Sequence, residues 1–183
     1  GLKNLIENAD TTIIIRNNSI LEIIDKETTL SDAFALCNNV LINAVRGISE
    51  PILKPGIINL DFADVKTIMA EAGPAVMGIG QANGDERAIE AAKKAVSFPL
   101  LNISIDGAKG ILFSVASRKP LTLSEVNEVA KIITASADPD AKIIFGVIQD
   151  ESLRKGELKV TVVATGFSDQ GSEVILKKME EKE

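Results

Sequence analysis

The 183-residue chain has no histidine, no tryptophan and no tyrosine. Without histidine there is no histidine-based catalytic triad and no histidine-containing metal site. Any chemistry must run on carboxylates, amides, Lys, Arg or the backbone. Aromatics amount to 3% of the chain, all phenylalanine, which leaves few platforms for stacking nucleic-acid bases. One cysteine, Cys37, excludes an internal disulfide framework. It falls in an apolar helical pattern and reads as a buried structural thiol. No apolar run reaches the roughly 18 residues of a membrane span, and no basic-plus-apolar leader stands at the start. The net charge of −6 argues against non-specific binding to nucleic acid or membrane surfaces. The expectation is a cytoplasmic protein with no nucleic-acid partner and no membrane insertion.

What is present is a soluble-type composition, 45% apolar and 25% charged. The first six residues read as the end of a helix already in progress. Residues 10–15 follow as a strand, with Ile13, Ile14 and Ile15 unbroken. Such a run suits a parallel strand covered on both faces, and the next segment supplies no neighbours for it. The expectation is one part of something larger.

Residues 29–49 give the clearest helical periodicity, through Leu30, Ala33, Phe34, Cys37, Leu41, Ala44, Val45 and Ile48. Thr29 and Asp32 have the spacing of a capping box, and Gly47 and Pro51 predict a stop near its end. Shorter helices are predicted over 62–72 and 84–97, the latter capped by Asn83 and Glu86. A third follows the Thr122/Glu125 capping box. Strands are predicted over 76–79, 111–116, 142–148 and 158–165. This order predicts an α/β domain: a four-stranded mixed sheet with two helices on one face, preceded by a long connecting helix. The divisions are 1–28 for a remnant of a preceding domain, 29–54 for the connecting helix, 55–72 for a loop and short helix, 73–167 for the α/β domain, and 168–183 for a polar tail.

Asn59-Leu60-Asp61-Phe62-Ala63-Asp64 stands out as a candidate site. Two carboxylates three residues apart share one face where a loop enters a helix. Exposed N–H groups at a helix start favour an anion or a polarised water there. Simple capping, with Asp61 at the N-cap and Asp64 at the third helical position, is the alternative. Asn59 adds an amide that can orient water. Asn17 and Asn18 follow the first strand, where polar residues can meet a ligand or form a turn. Phe34 and Asn38 stand one helical turn apart, suited to a flat base or to a core ring beside a solvated amide. The glycines around 73–84 match no dinucleotide fingerprint, and no Gly-x-x-x-x-Gly-Lys-Ser/Thr loop occurs. No metal ligand set is read from the spacing.

Taken together, these segments resemble FtsZ, the tubulin-like GTPase family of prokaryotic cell division. The resemblance rests on Asp10-Thr11-Thr12-Ile13-Ile14-Ile15-Arg16-Asn17-Asn18, Asp32-Ala33-Phe34, Val45-Arg46-Gly47-Ile48, the Asn59–Asp64 run with Val65-Lys66, Met77-Gly78-Ile79-Gly80, and Val160-Thr161-Val162-Val163-Ala164-Thr165-Gly166. It covers nearly the whole chain and begins in the middle of the family pattern. It implies the last nucleotide-domain strand, the central helix and the C-terminal domain, without the N-terminal GTP-binding core. Asn59, Asp61 and Asp64 would then be catalytic on the neighbouring subunit's GTP. Asn17, Phe34 and Asn38 would contact the guanine nucleotide of their own subunit. GTP/GDP and Mg²⁺ would be the complete protein's ligands, with none tightly held by this chain alone. The implied partners are the N-terminal GTP-binding domain, further copies joined head-to-tail in filaments, and cell-division adaptor proteins at the division site. Arg16-Asn17-Asn18 replaces the family's common Pro-Asn-Asp, and the usual adaptor-docking tail is not recognisable after Ser168.

Two other functions stay open. One is a module that modulates or caps assembly by presenting the acidic loop while offering no nucleotide site. The other is a Mg²⁺-dependent phosphohydrolase built on Asp61 and Asp64, for which the sequence offers no third ligand.

Overall fold

The computed structural model describes residues 2–13, 28–97, 105 and 107–168, apart from the side chains of 2, 3, 30, 36 and 37. Asn17, Asn18, Ile14, Ile15 and the tail beyond Ser168 lie outside these residues, as does the Cys37 side chain. The described elements are α1 (Leu2–Asn8), β1 (Thr11–Ile13), α2 (Leu30–Leu53), α3 (Phe62–Met69), β2 (Gly73–Asn83), α4 (Arg87–Val96), β3 (Gly110–Ser117), α5 (Leu123–Thr134), β4 (Lys142–Gln149) and β5 (Glu157–Thr165).

The strands form one mixed sheet in the order β1-β2-β5-β3-β4. β5 lies antiparallel to both β2 and β3, while β3–β4 and β1–β2 are parallel. The alternation read in the last strand sorts its side chains as expected. Leu158, Val160, Val162 and Ala164 enter one core and Val163 the other. β3 is buried along its whole length, because both sheet faces are covered.

On one face lie α4 and α5, the two helices that the sequence predicts. α4 turns Ala88, Ala91, Ala92 and Ala95 to the sheet. These small side chains bring the helix close: a Cβ added at Gly80 of β2 would stand 1.9 Å from the Ala91 carbonyl oxygen. The Thr122/Glu125 capping box forms in both directions and starts α5. The Phe113 and Phe145 rings stack at 5.3 Å between centroids.

The opposite face is covered by α2, α3 and the segment between them, through Ala44, Leu60, Val65 and Ile68 against Ala75, Met77, Leu112 and Val163. The buried line along α2 is Val40, Ala44, Gly47 and Pro51. It is not the longer stripe that periodicity picks out: Phe34, Leu41 and Val45 are 58%, 54% and 67% exposed. Small residues win the sheet-facing line because the approach is tight. A Cβ at Gly47 would stand 2.4 Å from Thr161 Cγ2.

Several boundaries differ from expectation. α2 runs through Gly47 and Pro51 to Leu53 rather than stopping near 49. β2 runs from Gly73 to Asn83, not only over 76–79, and its first residues pair with β1. β1 therefore joins the same sheet as a fifth strand. α3 ends at Met69. Asn83 accepts from Gly84 N–H at 2.8 Å instead of capping α4, and Glu86 holds the N-cap position without a side-chain bond.

Candidate functional site

The acidic run leaves the C-terminal end of α2, and the geometry begins there. Lys54 N–H closes the helix on the Glu50 carbonyl at 2.8 Å. The turn at Lys54-Pro55-Gly56 then lays the chain against the edge of the sheet. Ile57 and Ile58 N–H donate to the Val147 carbonyl at 2.9 and 3.2 Å, and Val147 N–H donates to the Ile58 carbonyl at 2.8 Å. Gly56 sits so close to β4 that a Cβ there would meet the Val147 carbonyl oxygen at 2.6 Å. Leu60, 5% exposed, plugs the core, and its N–H donates to the Pro51 carbonyl at 3.0 Å.

Asn59 lies inside this turn. Its Oδ1 accepts from Gly56 N–H at 3.0 Å. Its Nδ2 donates to the Lys54 carbonyl at 2.6 Å and the Pro51 carbonyl at 3.4 Å.

Asp61 is the N-cap of α3, with Oδ1 accepting from Ala63 N–H at 3.0 Å. Asp64 lies in the first turn, so the i, i+3 placement read from sequence is what forms. Both carboxylates are exposed, and Asp64 has no side-chain partner among the described residues. The far end of α3 is tied down. Thr165 Oγ1 donates to the Ile68 carbonyl at 3.0 Å, and Thr11 Oγ1 donates to the Met69 carbonyl. A rigid support thus presents open carboxylates beside the first N–H groups of a helix, which attract negative charge. In the same stretch of chain Leu53, Ile57 and Phe62 are 78%, 66% and 67% exposed.

Phe34 and Asn38 are both exposed, one turn apart on the N-terminal half of α2. From Phe34 to Leu53 the axial rise is roughly 28 Å at 1.5 Å per residue. These two residues and the acidic loop are therefore held at opposite ends of one helix. Asn17 lies outside the described residues. Among the described residues no group of three acidic or cysteine side chains could hold a metal ion, and no helix is long and apolar enough to cross a membrane.

Sequence reasoning did not find the anchors of the loop. Val147 lies far along the chain, and nothing in its neighbourhood marks it as the tether. The Lys54-Pro55-Gly56 turn was the only local signal. Two carboxylates away from the loop are perturbed. Burial raises the Glu125 pKa, but hydrogen bonds from Arg87 and Thr122 together carry it below its ordinary value. Burial likewise raises Asp150, and bonds from Ser152 with the charge of Lys159 lower it overall.

Residues 73–168 match the family model described as FtsZ family, C-terminal domain. Among solved structures, the chain is 42% identical to an empty FtsZ dimer from M. jannaschii, covering 90% of this chain and 48% of that one, with a TM-score of 0.84. A point mutant of M. jannaschii FtsZ is also 42% identical, covering 91% and 49%, with a TM-score of 0.84. The chain spans about half the length of these solved relatives.

Proposed function

This chain belongs to the FtsZ family, and from that premise we propose that it is the C-terminal part of a filament-forming cell-division GTPase. Its acidic loop completes the GTP hydrolysis site of the adjacent subunit. The observation that carries this reading is the separation along α2. The base-suited pair Phe34 and Asn38 and the carboxylates Asp61 and Asp64 lie at opposite ends of a 24-residue helix. One nucleotide cannot reach both within a single chain. Two copies arranged head-to-tail can bring the loop of one to the nucleotide of the next.

In that arrangement Asp64, open and exposed, and the Asp61 oxygen not used in capping accept hydrogen bonds from the attacking water. They orient it in line with the γ-phosphate. Positioning and charge carry the reaction, which converts GTP to GDP and phosphate. Mg²⁺ would come with the nucleotide phosphates, neutralising their charge, rather than be held by this chain's own residues. Leu53, Ile57 and Phe62 become the apolar part of the subunit contact. A heterologous contact of this kind extends into a filament when it does not close, and hydrolysis is then coupled to assembly at the division site. The uncovered Phe34, Leu41 and Val45 stripe supports a second interface, against an N-terminal GTP-binding domain that also receives Asn17. Adaptor proteins would bind the assembled filament.

The test mixes the chain with a separately made N-terminal GTP-binding domain of the family and follows GTP hydrolysis against concentration. The expected result is turnover from the mixture only, rising steeply with concentration and cut to a small residual rate in Asp64→Asn. Folded and bound components without turnover would leave an assembly-capping module as the function.

A further inference from the structure

We propose that Asn59 is a positioning residue: its amide clamps the acidic loop to the end of α2 and acts on the reaction through Asp61 and Asp64. It touches neither the water nor the nucleotide. The inference rests on the hydrolysis reading above and refines it.

A carboxamide offers one acceptor oxygen and two N–H donors. At Asn59 the oxygen takes Gly56 N–H, and the nitrogen serves the Lys54 and Pro51 carbonyls. The neighbours settle which end is which. A backbone N–H demands the oxygen and two carbonyls demand the nitrogen, so the amide cannot flip without losing all three bonds. Both donors are thereby spent on backbone, and one of the oxygen's two lone pairs is engaged.

The partners matter as much as their number. Lys54 is the C-cap of α2 and Pro51 lies in its last turn, where carbonyls lack helical donors. Gly56 is pressed against β4, with no room for a side chain. Asn59 thus joins the helix end, the turn and the segment leading to Asp61. Leu60 N–H on the Pro51 carbonyl continues the same clamp one residue on. Asp61 is two residues from the amide, so this group contributes, with the Leu60 and Val147 bonds, to the direction in which α3 starts relative to α2. Aspartate at 59 would keep the acceptor for Gly56 but turn a carboxylate oxygen toward two carbonyls.

The experiment has two parts. Hydrogen exchange on the chain alone compares Asn59→Ala and Asn59→Asp with the wild type. Asn59→Ala should speed exchange at Gly56 by at least about ten-fold, with Val129 in the α5 core unchanged. Asn59→Asp should protect Gly56 better than Asn59→Ala does. Unchanged exchange at Gly56 in Asn59→Ala overturns the clamp.

GTP turnover in the mixture with the N-terminal domain then separates positioning from direct chemistry. Misplacement of a catalytic group by about 1 Å can cost on the order of 10²-fold, so Asn59→Ala should lower kcat to that extent with little change in KM. In an Asp64→Asn background the same substitution should cost less than about two-fold, because residues that act as a unit are not additive. A full additional loss in that background would mean that Asn59 acts on the water itself. Absence of turnover by the wild-type mixture would remove the hydrolysis reading, while the exchange data on the chain alone still decide the clamp.

Discussion

The Ser114 hydroxyl of β3 donates to the Gly47 carbonyl of α2 at 3.3 Å, in a buried position. In a regular helix that carbonyl accepts from residue 51. Here residue 51 is proline and has no N–H. The sheet therefore supplies the donor that the helix lacks, and α2 continues past its own proline to Leu53. Ser114→Ala removes that donor and leaves a buried acceptor unpaired. The expected loss is about 1–3 kcal/mol, read as a lower urea midpoint. An unchanged midpoint would mean that the carbonyl finds another partner.

Gly47 and Gly80 should both resist alanine, for reasons of space. In an exposed helix interior Gly→Ala stabilises by about 1 kcal/mol. At Gly47 the new Cβ meets Thr161 Cγ2 at 2.4 Å, so overpacking should instead cost about 1–3 kcal/mol. Adding Thr161→Ser removes the opposing methyl and should recover most of the loss. At Gly80 the obstacle is the Ala91 backbone, which no side-chain change can move. Gly80→Ala should therefore be the more damaging of the two, in thermal unfolding measured side by side.

The two aspartates of the loop should separate when stability and turnover are measured on the same variants. Asp61 caps α3 through Ala63 N–H, so Asp61→Ala should cost about 1 kcal/mol. Asp64 is exposed and has no side-chain partner among the described residues. Asp64→Asn should stay within about 0.5 kcal/mol of the wild type while cutting turnover in the mixture to a small, measurable residual rate. A marked stability loss in Asp64→Asn would point to a structural role and weaken the case for chemistry.

Acid should destabilise the α4–α5 end of the domain. Arg87 Nε pairs with Glu125 at 2.7 Å, and the guanidinium also donates to the Gly156 carbonyl at 3.0 Å. Lys159 and Asp150 stand 3.5 Å apart. Both carboxyl groups titrate below their ordinary values of 4.5 and 3.8, despite the upward push of burial. A depressed folded-state pKa contributes stability that is present above the unfolded value and lost as pH falls through the folded one. Unfolding midpoints should hold steady above about pH 5 and fall below it. Glu125→Gln should be less stable at neutral pH and show a smaller acid loss. An acid profile identical to the wild type would exclude Glu125 as a source of the pH dependence.

The strands were legible because their neighbours are generic. β5 alternates Leu158, Val160, Val162 and Ala164, and any sheet with one core on that face sorts them alike. The capping box at Thr122 and Glu125 is likewise local: its bonds span three residues. The acidic run was legible as a pair of carboxylates at a helix start, since Asp61 and Asp64 need only their own backbone to be placed. Asn59 was harder. Its type and position suggested a water-orienting amide, whereas its bonds go to Lys54, Pro51 and Gly56. Those partners depend on where α2 ends, and Pro51 made that end look earlier than it is.

By itself the sequence determined the order and kinds of elements, the alternating core and the pairing of Asp61 with Asp64, because each is a matter of local periodicity or capping. Only the tertiary structure decided which line of α2 meets the sheet. Side-chain apolarity favoured Phe34, Leu41 and Val45, but the line that is buried is Val40, Ala44, Gly47 and Pro51, with Gly47 fitted against Thr161. It also decided that the acidic loop hangs from Val147 on the edge of the sheet, and that Ser114 supplies the bond Pro51 cannot. Those outcomes turn on distances between segments far apart in the chain, and no local pattern encodes a distance.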